Sequence, residues 1–386
     1  MYTIETEHIP ILVWGEDIDE GALTQARNLA NLPFAFHHIA LMPDAHVGYG
    51  MPIGGVFAAQ GQVVPHAVGL DIGCGVRAWR TNVPVEALTG ELDLVLNRIQ
   101  RDVPQGFDWH KQSQAFRTDL FDAVPDIPAL QAEMTNARRQ VGSLGGGNHF
   151  IELQADPDGV AWAMVHSGSR NVGKQIAEHF DKVARDINRQ DGSPVPPQWG
   201  LAHLDCESPE GIEYLAAMHW CMRFAAENRR LMAEAVQSSL DKSFPGIRPD
   251  AAVEVHHNYA ATETHYGEEV VVHRKGAVYA RGRVFIPGSM GTSSYVGEGL
   301  ANADAFESCS HGAGRTMSRK AALQSFSIEH VMGELKDQGI KLFKAHKKDV
   351  AEEAPGAYKD IDMVMRWQRD LVEPRIQLRP LGVVKG

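Results

Sequence analysis

The sequence predicts a fold of mixed α-helices and β-strands, and three patterns support this prediction. Apolar residues after Pro84 recur at helical spacing, and residues 211–240 repeat the pattern. The run EEVVVHRKGAVYARGRVFIPG (268–288) is rich in β-branched residues, with Lys275-Gly276 as a candidate turn. GVAWAMVH (159–166) is typical of a short buried strand that ends at His166. The helical positions are Leu88, Leu92, Val95, Leu96 and Ile99, then Leu215, Met218, Met222, Ala225 and Met232.

The C-terminal region predicts one more helix followed by an extended segment. In residues 357–371 a helical stripe places Ile361, Val364, Met365 and Gln368 on one face. The tail that follows is too apolar to be free. The clearest loops, DGSPVPPQWG (191–200) and FPGIRPD (244–250), separate segments whose motifs would have to meet. Residues 1–386 are therefore expected to form one composite domain.

Composition excludes several classes of protein. Of the 386 residues 44% are hydrophobic and 22% are charged, which is typical of a folded globular chain and excludes disordered, collagen-like and coiled-coil proteins. The formal net charge of −12 provides no global basic field, so a phosphate-rich partner would need a local basic patch. Four irregularly spaced cysteines predict no disulfide framework. The start of the chain has no signal-peptide pattern and no apolar run reaches membrane-span length, so a cytoplasmic location is expected.

Five short segments combine glycine with residues that bind metals or catalyse reactions. Glycine permits positive φ and close backbone approach, so such a turn can bring a ligand-type side chain against an ion or a phosphate. The chain also contains 18 histidines, which are common metal ligands and acid/base groups at neutral pH. The segments are MPDAHVGYG (42–50), GLDIGCG (69–75), SLGGGNHFIE (143–152), VHSGSR (165–170) and SHGAGR (310–315).

The GLDIGCG turn is a candidate metal site. Asp71 and Cys74 lie three residues apart, so a carboxylate and a thiolate could converge on one ion, and His149, His166 and a histidine of EVHHNYA could complete the site. No zinc-type spacing supports this interpretation. The alternative is that Cys74 is a small buried apolar residue and that each histidine is satisfied in the core.

Two familiar nucleotide-binding motifs are absent. GSRNVGKQ (168–175) has Gly168, Gly173 and Lys174 at the spacing of a phosphate-binding P-loop, but Gln175 stands where a serine or threonine hydroxyl would hold magnesium. The glycine clusters also lack the G-x-G-x-x-G spacing of a Rossmann site. Neither a P-loop nor a Rossmann core is predicted.

SHGAGRTMSRKAALQSF (310–326) is the most informative segment. His311 opens a glycine loop that is expected to lead into a helix beginning near Arg315, where backbone N–H groups and basic side chains would attract phosphate. A neutral imidazole nitrogen can attack phosphorus to form a covalent phosphoramidate, or His311 can simply donate a hydrogen bond to the phosphate. The residues alone leave both roles open. PGSMGTSSY (287–295) is either a further phosphate loop or an ordinary turn.

In order along the chain, these motifs resemble those of the RtcB family of RNA-splicing and RNA-repair ligases, nearly end to end. MPDAHVGYG, GLDIGCG, GGGNHFIE, HSGSR, HHNYA, RKGA, PGSMG, SHGAGR, AYKDID and the terminal VVKG carry the resemblance. It implies an α+β domain with a central active-site cleft. It also implies an enzyme that uses GTP and Mn²⁺ to join an RNA 3′-phosphate or 2′,3′-cyclic phosphate to a 5′-hydroxyl through a histidine–GMP intermediate, with an archease-type protein as a possible activator.

The resemblance also assigns roles to individual residues. It makes His311 the guanylylated histidine, and it assigns a pair of manganese ions to Asp71, Cys74, His149, His166 and His257. Arg170 and Lys275 are weaker candidates for contacts to RNA phosphates. The expected GMP contacts are Asn148, His149, Phe150, Ile151, Glu152, His257, Asn258, Pro287, Gly288, Ser289, Met290, Ser294, His311, Gly312, Ala313, Gly314, Tyr358 and Lys385.

Elementary chemistry agrees with part of this assignment. A carboxylate at Glu152 can accept from guanine N1–H and N2–H₂, and the ammonium of Lys385 can donate to the O6/N7 edge. The lysine motif K-x-D-G of ordinary ligases is absent from the chain. A thiolate with imidazoles favours zinc over manganese, so zinc is expected to bind and inhibit. Tyr49 stands where family members commonly have lysine, which removes a cation near the RNA path and puts the range of RNA substrates in doubt.

Two other functions remain as alternatives. A metal-dependent phosphoesterase would use the same ligands to activate water and would release phosphate without GTP. A non-catalytic RNA-binding module would need basic residues where phosphates lie, and the acidic net charge disfavours it.

Overall fold

Two large, mostly antiparallel β-sheets organise the fold, which is of the α+β class as predicted. The computed structural model describes residues 1–344 and 347–386. One sheet has the strand order β1-β2-β3-β4-β12-β11, and the other has the order β10-β6-β8-β7-β18-β15-β14 with β17 beside β18. Two-stranded pairs β13-β16 and β5-β9 complete the described strands. The strands are β1 (Tyr2–Ile4), β2 (Ile11–Val13), β3 (Ala35–His46), β4 (Ile53–Ala59), β5 (Gln62–Val63), β6 (Gly75–Pro84), β7 (Phe150–Ala155), β8 (Val160–Ser167), β9 (Leu204–Asp205), β10 (Val253–His256), β11 (Asn258–His265), β12 (Glu268–Lys275), β13 (Ala277–Tyr279), β14 (Arg281–Ile286), β15 (Ser294–Leu300), β16 (Ser308–Ser310), β17 (Lys341–Lys344) and β18 (Val372–Lys385).

Helices pack against the outer faces of the sheets and against each other. The α-helices are α1 (Glu20–Ala30), α2 (Pro65–Val68), α3 (Val85–Asp102), α4 (Pro128–Gln140), α5 (Arg170–Gln190), α6 (Pro209–Asp241), α7 (Arg319–Ser325), α8 (Ile328–Asp337) and α9 (Ile361–Trp367). Short 3₁₀ helices lie at Ala115–Arg117, Leu120–Asp122, Pro197–Trp199, Ala303–Ala305, Lys347–Glu353 and Pro355–Ala357. None of the helices in residues 1–344 and 347–386 combines the length and apolar character that a membrane span requires.

One end of the larger sheet, where its strands start or finish, brings together motifs that are far apart in the sequence. Neighbouring strands run in opposite directions, so the end of one strand lies beside the start of the next. His256 at the end of β10 pairs with Gly75 at the start of β6, and Gly75 pairs in turn with Ser167 at the end of β8. Phe150 at the start of β7 pairs with Lys385 at the end of β18. These motifs therefore meet at one end of the sheet.

The smaller sheet, which contains β4, β11 and β12, and the β13-β16 pair end at the same place. Lys275 at the end of β12 pairs with Asn258 on one side and Gly55 on the other. Ala277, two residues beyond Lys275, pairs with Ser310, which directly precedes His311. The cleft therefore lies where one end of each large sheet meets the start of the SHGAGR loop.

The apolar patterns of the sequence correspond to packed faces. The five predicted positions of α3 are all buried, in a core formed with β7 and β8. The predicted second helix is the long α6, which begins after Ser208, whose hydroxyl accepts a hydrogen bond from Gly211 N at 3.0 Å. The predicted strand ending near His166, the three strands of the 268–288 run and the extended C-terminal tail, which is β18, are confirmed as well.

The helix predicted to begin near Arg315 was placed too early. α7 begins at Arg319, because Ser318 caps it by accepting from Ala321 N at 3.2 Å. Arg315 instead forms an isolated β-bridge with Tyr358. His311 is therefore held by an irregular glycine loop and not by the start of a helix. The P-loop interpretation was rightly rejected, since Gly173 and Lys174 lie inside α5.

Candidate active site

A cavity of about 760 Å³ opens at the meeting point of the two sheets. Most of the residues predicted to contact metal or GMP line it. These are Asp71, Cys74, Asn148, Phe150, His166, His257, Asn258, Pro287, Gly288, Ser289, Met290, His311, Gly312, Ala313, Gly314, Tyr358 and Lys385, together with the predicted RNA contact Lys275.

The predicted metal ligands converge around Cys74. Its Sγ lies 3.5 Å from His149 Nε2 and 3.4 Å from His166 Nε2, and His166 Nε2 lies 3.4 Å from His257 Nε2. His149 Nε2 is also 2.8 Å from an Asp71 carboxylate oxygen. Two groups result, Cys74–His166–His257 and Asp71–Cys74–His149, and the ligand atoms within each group lie within 4.8 Å of one another. The groups share the thiol of Cys74.

Burial prepares these side chains as ligands. It lowers the pKa of His166 and His257 well below the usual range and also lowers that of His149, which favours the neutral imidazole that binds a metal. Burial also opposes ionisation of Asp71, but the charge and hydrogen bond of His149 outweigh it and hold the pKa of Asp71 at about 2. Burial and the neighbouring Asp71 raise the pKa of the Cys74 thiol.

The surrounding contacts fix which histidine nitrogens face inward. His166 Nδ1 lies 3.0 Å from the backbone oxygen of Asn148, and Arg170 Nη1 lies 2.9 Å from His149 Nδ1. These contacts direct both Nε2 atoms toward Cys74. The Nε2 atoms of His166 and His257 also face each other at 3.4 Å. Two nitrogen lone pairs at this distance repel unless a shared proton or a cation lies between them. The donor set and its convergence therefore fit a bound divalent ion.

His311 lies beside this cluster, with its ring centre 4.9 Å from that of His257. Its Nδ1 lies 2.7 Å from a carboxylate oxygen of Asp44, and the same oxygen accepts the backbone N–H groups of His311 at 3.0 Å and Gly312 at 3.2 Å. Asp44 is completely buried. Because Nδ1 is occupied by this carboxylate, Nε2 is the nitrogen left to react.

The other end of the cavity is organised by a buried carboxylate, Glu353. It accepts from Lys385 Nζ at 3.2 Å, from Arg315 and Arg319, each at 3.3 Å, and from the Tyr358 hydroxyl. Burial opposes ionisation of Glu353, but Lys385 and the other donors outweigh it and hold the pKa of this carboxyl below its usual range. Glu353 thus fixes the positions of the cationic and aromatic groups at this end.

Several predicted contacts lie behind the cavity wall. The amide nitrogen of Gln154 donates to Glu152 at 2.5 Å and to the Ser294 hydroxyl at 2.9 Å, and that hydroxyl in turn accepts from Gly288 N at 3.2 Å. Glu152 and Ser294 therefore support the wall through Gly288. Ile151 is buried in the core on the opposite face of β7, because side chains alternate along a strand.

The two predicted RNA contacts are a half-buried arginine and a buried lysine. Arg170 lies under Gly145, and its guanidinium contacts His149. Lys275 Nζ donates to the backbone oxygens of Tyr49 at 2.7 Å and His66 at 2.9 Å, and burial lowers its pKa to about 7. The side chain of Tyr49 is largely exposed at the rim of the cavity.

Glu152 predicts a pH-dependent stability. Burial raises its pKa from 4.5 to about 8, so the folded protein holds a proton on Glu152 that the unfolded chain releases near pH 4.5. Stability relative to Glu152→Gln is therefore greatest below pH 4.5 and falls, on the order of a few kcal/mol, as pH rises through 8. Urea unfolding of both proteins at pH 5, 7 and 9 measures the difference. A difference that does not vary with pH would mean that Glu152 is already ionised in the folded protein.

Sequence reasoning missed two carboxylates of this site. Asp44 was quoted within MPDAHVGYG but given no role, although it is the one acidic residue of β3 and follows an apolar run, which is a signal of a buried functional group. Glu353 lies in AEEAP, just before the AYKDID motif, where nothing in the local pattern distinguishes it from an exposed acidic residue.

A buried thiol–imidazole–carboxylate cluster beside a histidine held by a carboxylate is typical of the active site of a metal-dependent enzyme. Comparison with known proteins specifies the class further. The family model described as tRNA-splicing ligase RtcB matches residues 25–386. The chain is 38% identical to RNA-splicing ligase RtcB of Escherichia coli K12, over 99% of each chain.

Two further relatives, from an archaeon and a mycobacterium, are similar over most of their length. The chain is 34% identical to tRNA-splicing ligase RtcB of Thermococcus kodakarensis, over 94% of this chain and 91% of that protein. It is also 34% identical to RNA-splicing ligase RtcB of Mycobacterium tuberculosis, over 94% of this chain and all of that protein. The chain belongs to the RtcB family.

Proposed function

We propose that this protein is an RNA ligase that joins a 3′-phosphate or 2′,3′-cyclic phosphate end to a 5′-hydroxyl end, using GTP and Mn²⁺. Family membership supports RNA joining, since the relatives are named RNA-splicing or tRNA-splicing ligases. The cluster around Cys74 supports a metal requirement. We further propose that residues 1–386 act as one catalytic domain.

The observation that carries the proposal is the hydrogen bond between His311 and Asp44. A buried carboxylate 2.7 Å from Nδ1 fixes the ring and its tautomer, so the lone pair of Nε2 is available for attack. As Nε2 forms a bond, positive charge develops on the ring, and the carboxylate stabilises it. With its ring proton on Nδ1 and donated to Asp44, a neutral His311 has no Nε2 proton to donate to a phosphate, which favours attack by Nε2 over a hydrogen bond.

In the proposed first step, His311 Nε2 attacks the α-phosphorus of GTP. A P–N bond forms, the bond from that phosphorus to the bridging oxygen breaks, and pyrophosphate leaves with the electron pair. A 2′,3′-cyclic phosphate end is first opened by water, which breaks the bond from phosphorus to O2′ and leaves a 2′-hydroxyl and a 3′-phosphate. The GMP group then passes from His311 to an oxygen of the RNA 3′-phosphate, as the P–N bond breaks. Attack of the 5′-hydroxyl on the activated phosphate forms the new phosphodiester, loses the hydroxyl proton and releases GMP.

The side chains around His311 support these steps. Asp71, Cys74, His149, His166 and His257 would hold Mn²⁺, which when bound withdraws charge from phosphate oxygens. Lys385, Tyr358 and Glu353 form the cavity end proposed to hold guanine. Arg170 and Lys275 are proposed to stabilise RNA phosphate near the cluster.

Location and partners complete the proposal. The four cysteines are free thiols, which supports the reducing environment of the cytoplasm. An archease-type activator is proposed from family membership alone.

The test is the intact mass of the purified protein after incubation with GTP and Mn²⁺, with an acid-treated aliquot beside it. We expect one added GMP, which acid removes because a phosphoramidate is acid-labile. Incubation with ATP and Mn²⁺ is the nucleotide control, and a 3′-phosphate RNA added afterwards should discharge the adduct.

The opposite result would favour a different enzyme. If nucleotide and metal both bind and no adduct forms, the protein would be better described as a metal-dependent phosphoesterase. Release of phosphate from RNA ends without GTP would then be the activity to measure.

A further inference from the structure

The segment that joins α3 to α4 carries exposed aromatic rings close to the active site. We call residues 104–118 the aromatic loop. Phe107 is fully exposed, Phe116 is 84% exposed and Trp109 is 38% exposed. Soluble proteins seldom expose several large rings in one short segment unless the rings bind something.

The base of the aromatic loop is attached to the glycine loop that carries the metal ligand His149. Gly106 N donates to Gly145 O at 2.9 Å, and His110 Nε2 lies 3.0 Å from Gly142 O. Gly146 packs against Gly106, directly before Phe107. Phe107 therefore projects into solvent beside the segment that leads to Asn148 at the cavity wall.

Two cations, Arg139 and Lys111, belong to the region of Trp109, whereas Arg117 beside Phe116 is paired with Glu234. Arg139 lies over the Trp109 ring at 5.8 Å and donates to His110 O at 3.1 Å. Lys111 is exposed in the same loop. Neither cation forms an ion pair with an acidic side chain in the described part of the chain, and the loop's own acidic residue is Asp108. In a protein with a net charge of −12, this is a local patch where phosphates can be held.

Two arginines also lie between the aromatic loop and the cavity. Arg319 lies against Gly147 on the cavity side, where it pairs with Glu353, and Arg170 lies beneath Gly145 with its guanidinium on His149. Gly145 is buried, but Gly147 is only partly buried and Asn148 is exposed, so a strand that leaves the cavity can pass over these two residues toward Phe107.

We propose that the aromatic loop binds the single-stranded RNA that adjoins the reacting end. Phe107 and Trp109 stack on bases, and Lys111 and Arg139 contact phosphates. Aromatic rings alternating with cations are the feature that binds single strands without reading sequence, because every base presents a π-face. This inference rests on the proposed RNA ligase function and adds to it a binding site outside the catalytic cavity.

The test compares Phe107→Ala with the wild type in binding a 12-nucleotide 3′-phosphate RNA and a dinucleotide 3′-phosphate, by fluorescence anisotropy and by competition. The 12-mer should bind about tenfold more weakly to the variant. The dinucleotide offers only one base beyond the reacting nucleotide and should lose much less affinity than the 12-mer. Phe107→Tyr should restore binding and Phe107→Leu should not, since stacking needs a flat ring.

Two further measurements separate stacking from charge. Lys111→Gln should reduce the slope of log affinity against log salt by about 0.7, the value expected when the protein neutralises one phosphate fewer on a single strand. Tyr2→Ala removes another exposed aromatic ring, at the edge of the smaller sheet, and should leave RNA binding unchanged.

Several outcomes would overturn the inference. Wild-type affinity of Phe107→Ala for the 12-mer would do so, and equal losses for the 12-mer and the dinucleotide would mean that the loop only shapes the cavity. Full RNA binding by Phe107→Leu would indicate a generic apolar surface for a protein partner. GMP uptake by His311 is measured in parallel. If it fails while Phe107→Ala still weakens RNA binding, the ligase proposal falls and the stacking site stands.

Discussion

His311→Ala is expected to lose GMP uptake completely, a reduction of at least about 10³-fold, because the variant has no nucleophilic nitrogen at the reacting position. Its fold should persist. The Asp44 carboxylate still accepts the backbone N–H groups of residues 311 and 312, so the buried charge keeps hydrogen-bond partners. Intact mass after incubation with GTP and Mn²⁺ measures the adduct, and thermal unfolding measures the fold.

Asp44→Asn separates the role of the carboxylate from that of the ring. We expect the adduct to form about 10²–10⁴-fold more slowly, since the asparagine amide can hold the ring in the wrong tautomer and cannot stabilise its positive charge. His203→Ala, a half-buried histidine outside the cavity, is the matched control and should take up GMP like the wild type. An adduct on His311→Ala would refute His311 as the nucleophile. Unchanged kinetics in Asp44→Asn would refute the positioning role.

The sequence predicted local elements well because local patterns determine them. The spacing of Leu88, Leu92 and Ile99 predicted the buried face of α3, and the β-branched run predicted β12 to β14. The start of α7 was misplaced because the glycine loop was assumed to lead straight into the helix. Ser318, an ordinary helix-capping residue that directly precedes α7, was overlooked.

The site was harder to predict because strand register assembles it. Cys74 and His166 are 92 residues apart, and their contact depends on the pairing of β6 with β8. Residue types suggested that these metal ligands could meet, but only the order of the strands brings them to one end of the sheet. Asp44 and His311 are separated by 267 residues, and no local motif links them. Chemistry-bearing residues are therefore visible in the sequence, whereas their partners require the fold.

Cys74→Ala is expected to have the second largest effect, the loss of metal and of every step that depends on it. Cys74 Sγ belongs to both ligand groups, so this single substitution removes a donor from each. Manganese affinity should fall by more than about 100-fold, which exceeds the usual effect of losing a residue that only supports a ligand. Metal content after dialysis and GMP uptake measure the two consequences.

Controls and a second metal make this result specific to Cys74. Cys206→Ala is the control, because Cys206 is also a free thiol but is half-buried, and its charged neighbours are Asp205 and Glu207, which are not part of the cluster. Thiolate and imidazole donors favour zinc, so zinc added to the wild type should displace manganese and inhibit GMP uptake. Zinc affinity should also fall in Cys74→Ala, because the softest donor has gone. Normal manganese occupancy in Cys74→Ala would overturn the ligand set. Full ligation by the wild type with zinc would overturn the assignment of manganese, since zinc is the ion that a thiolate site intrinsically prefers.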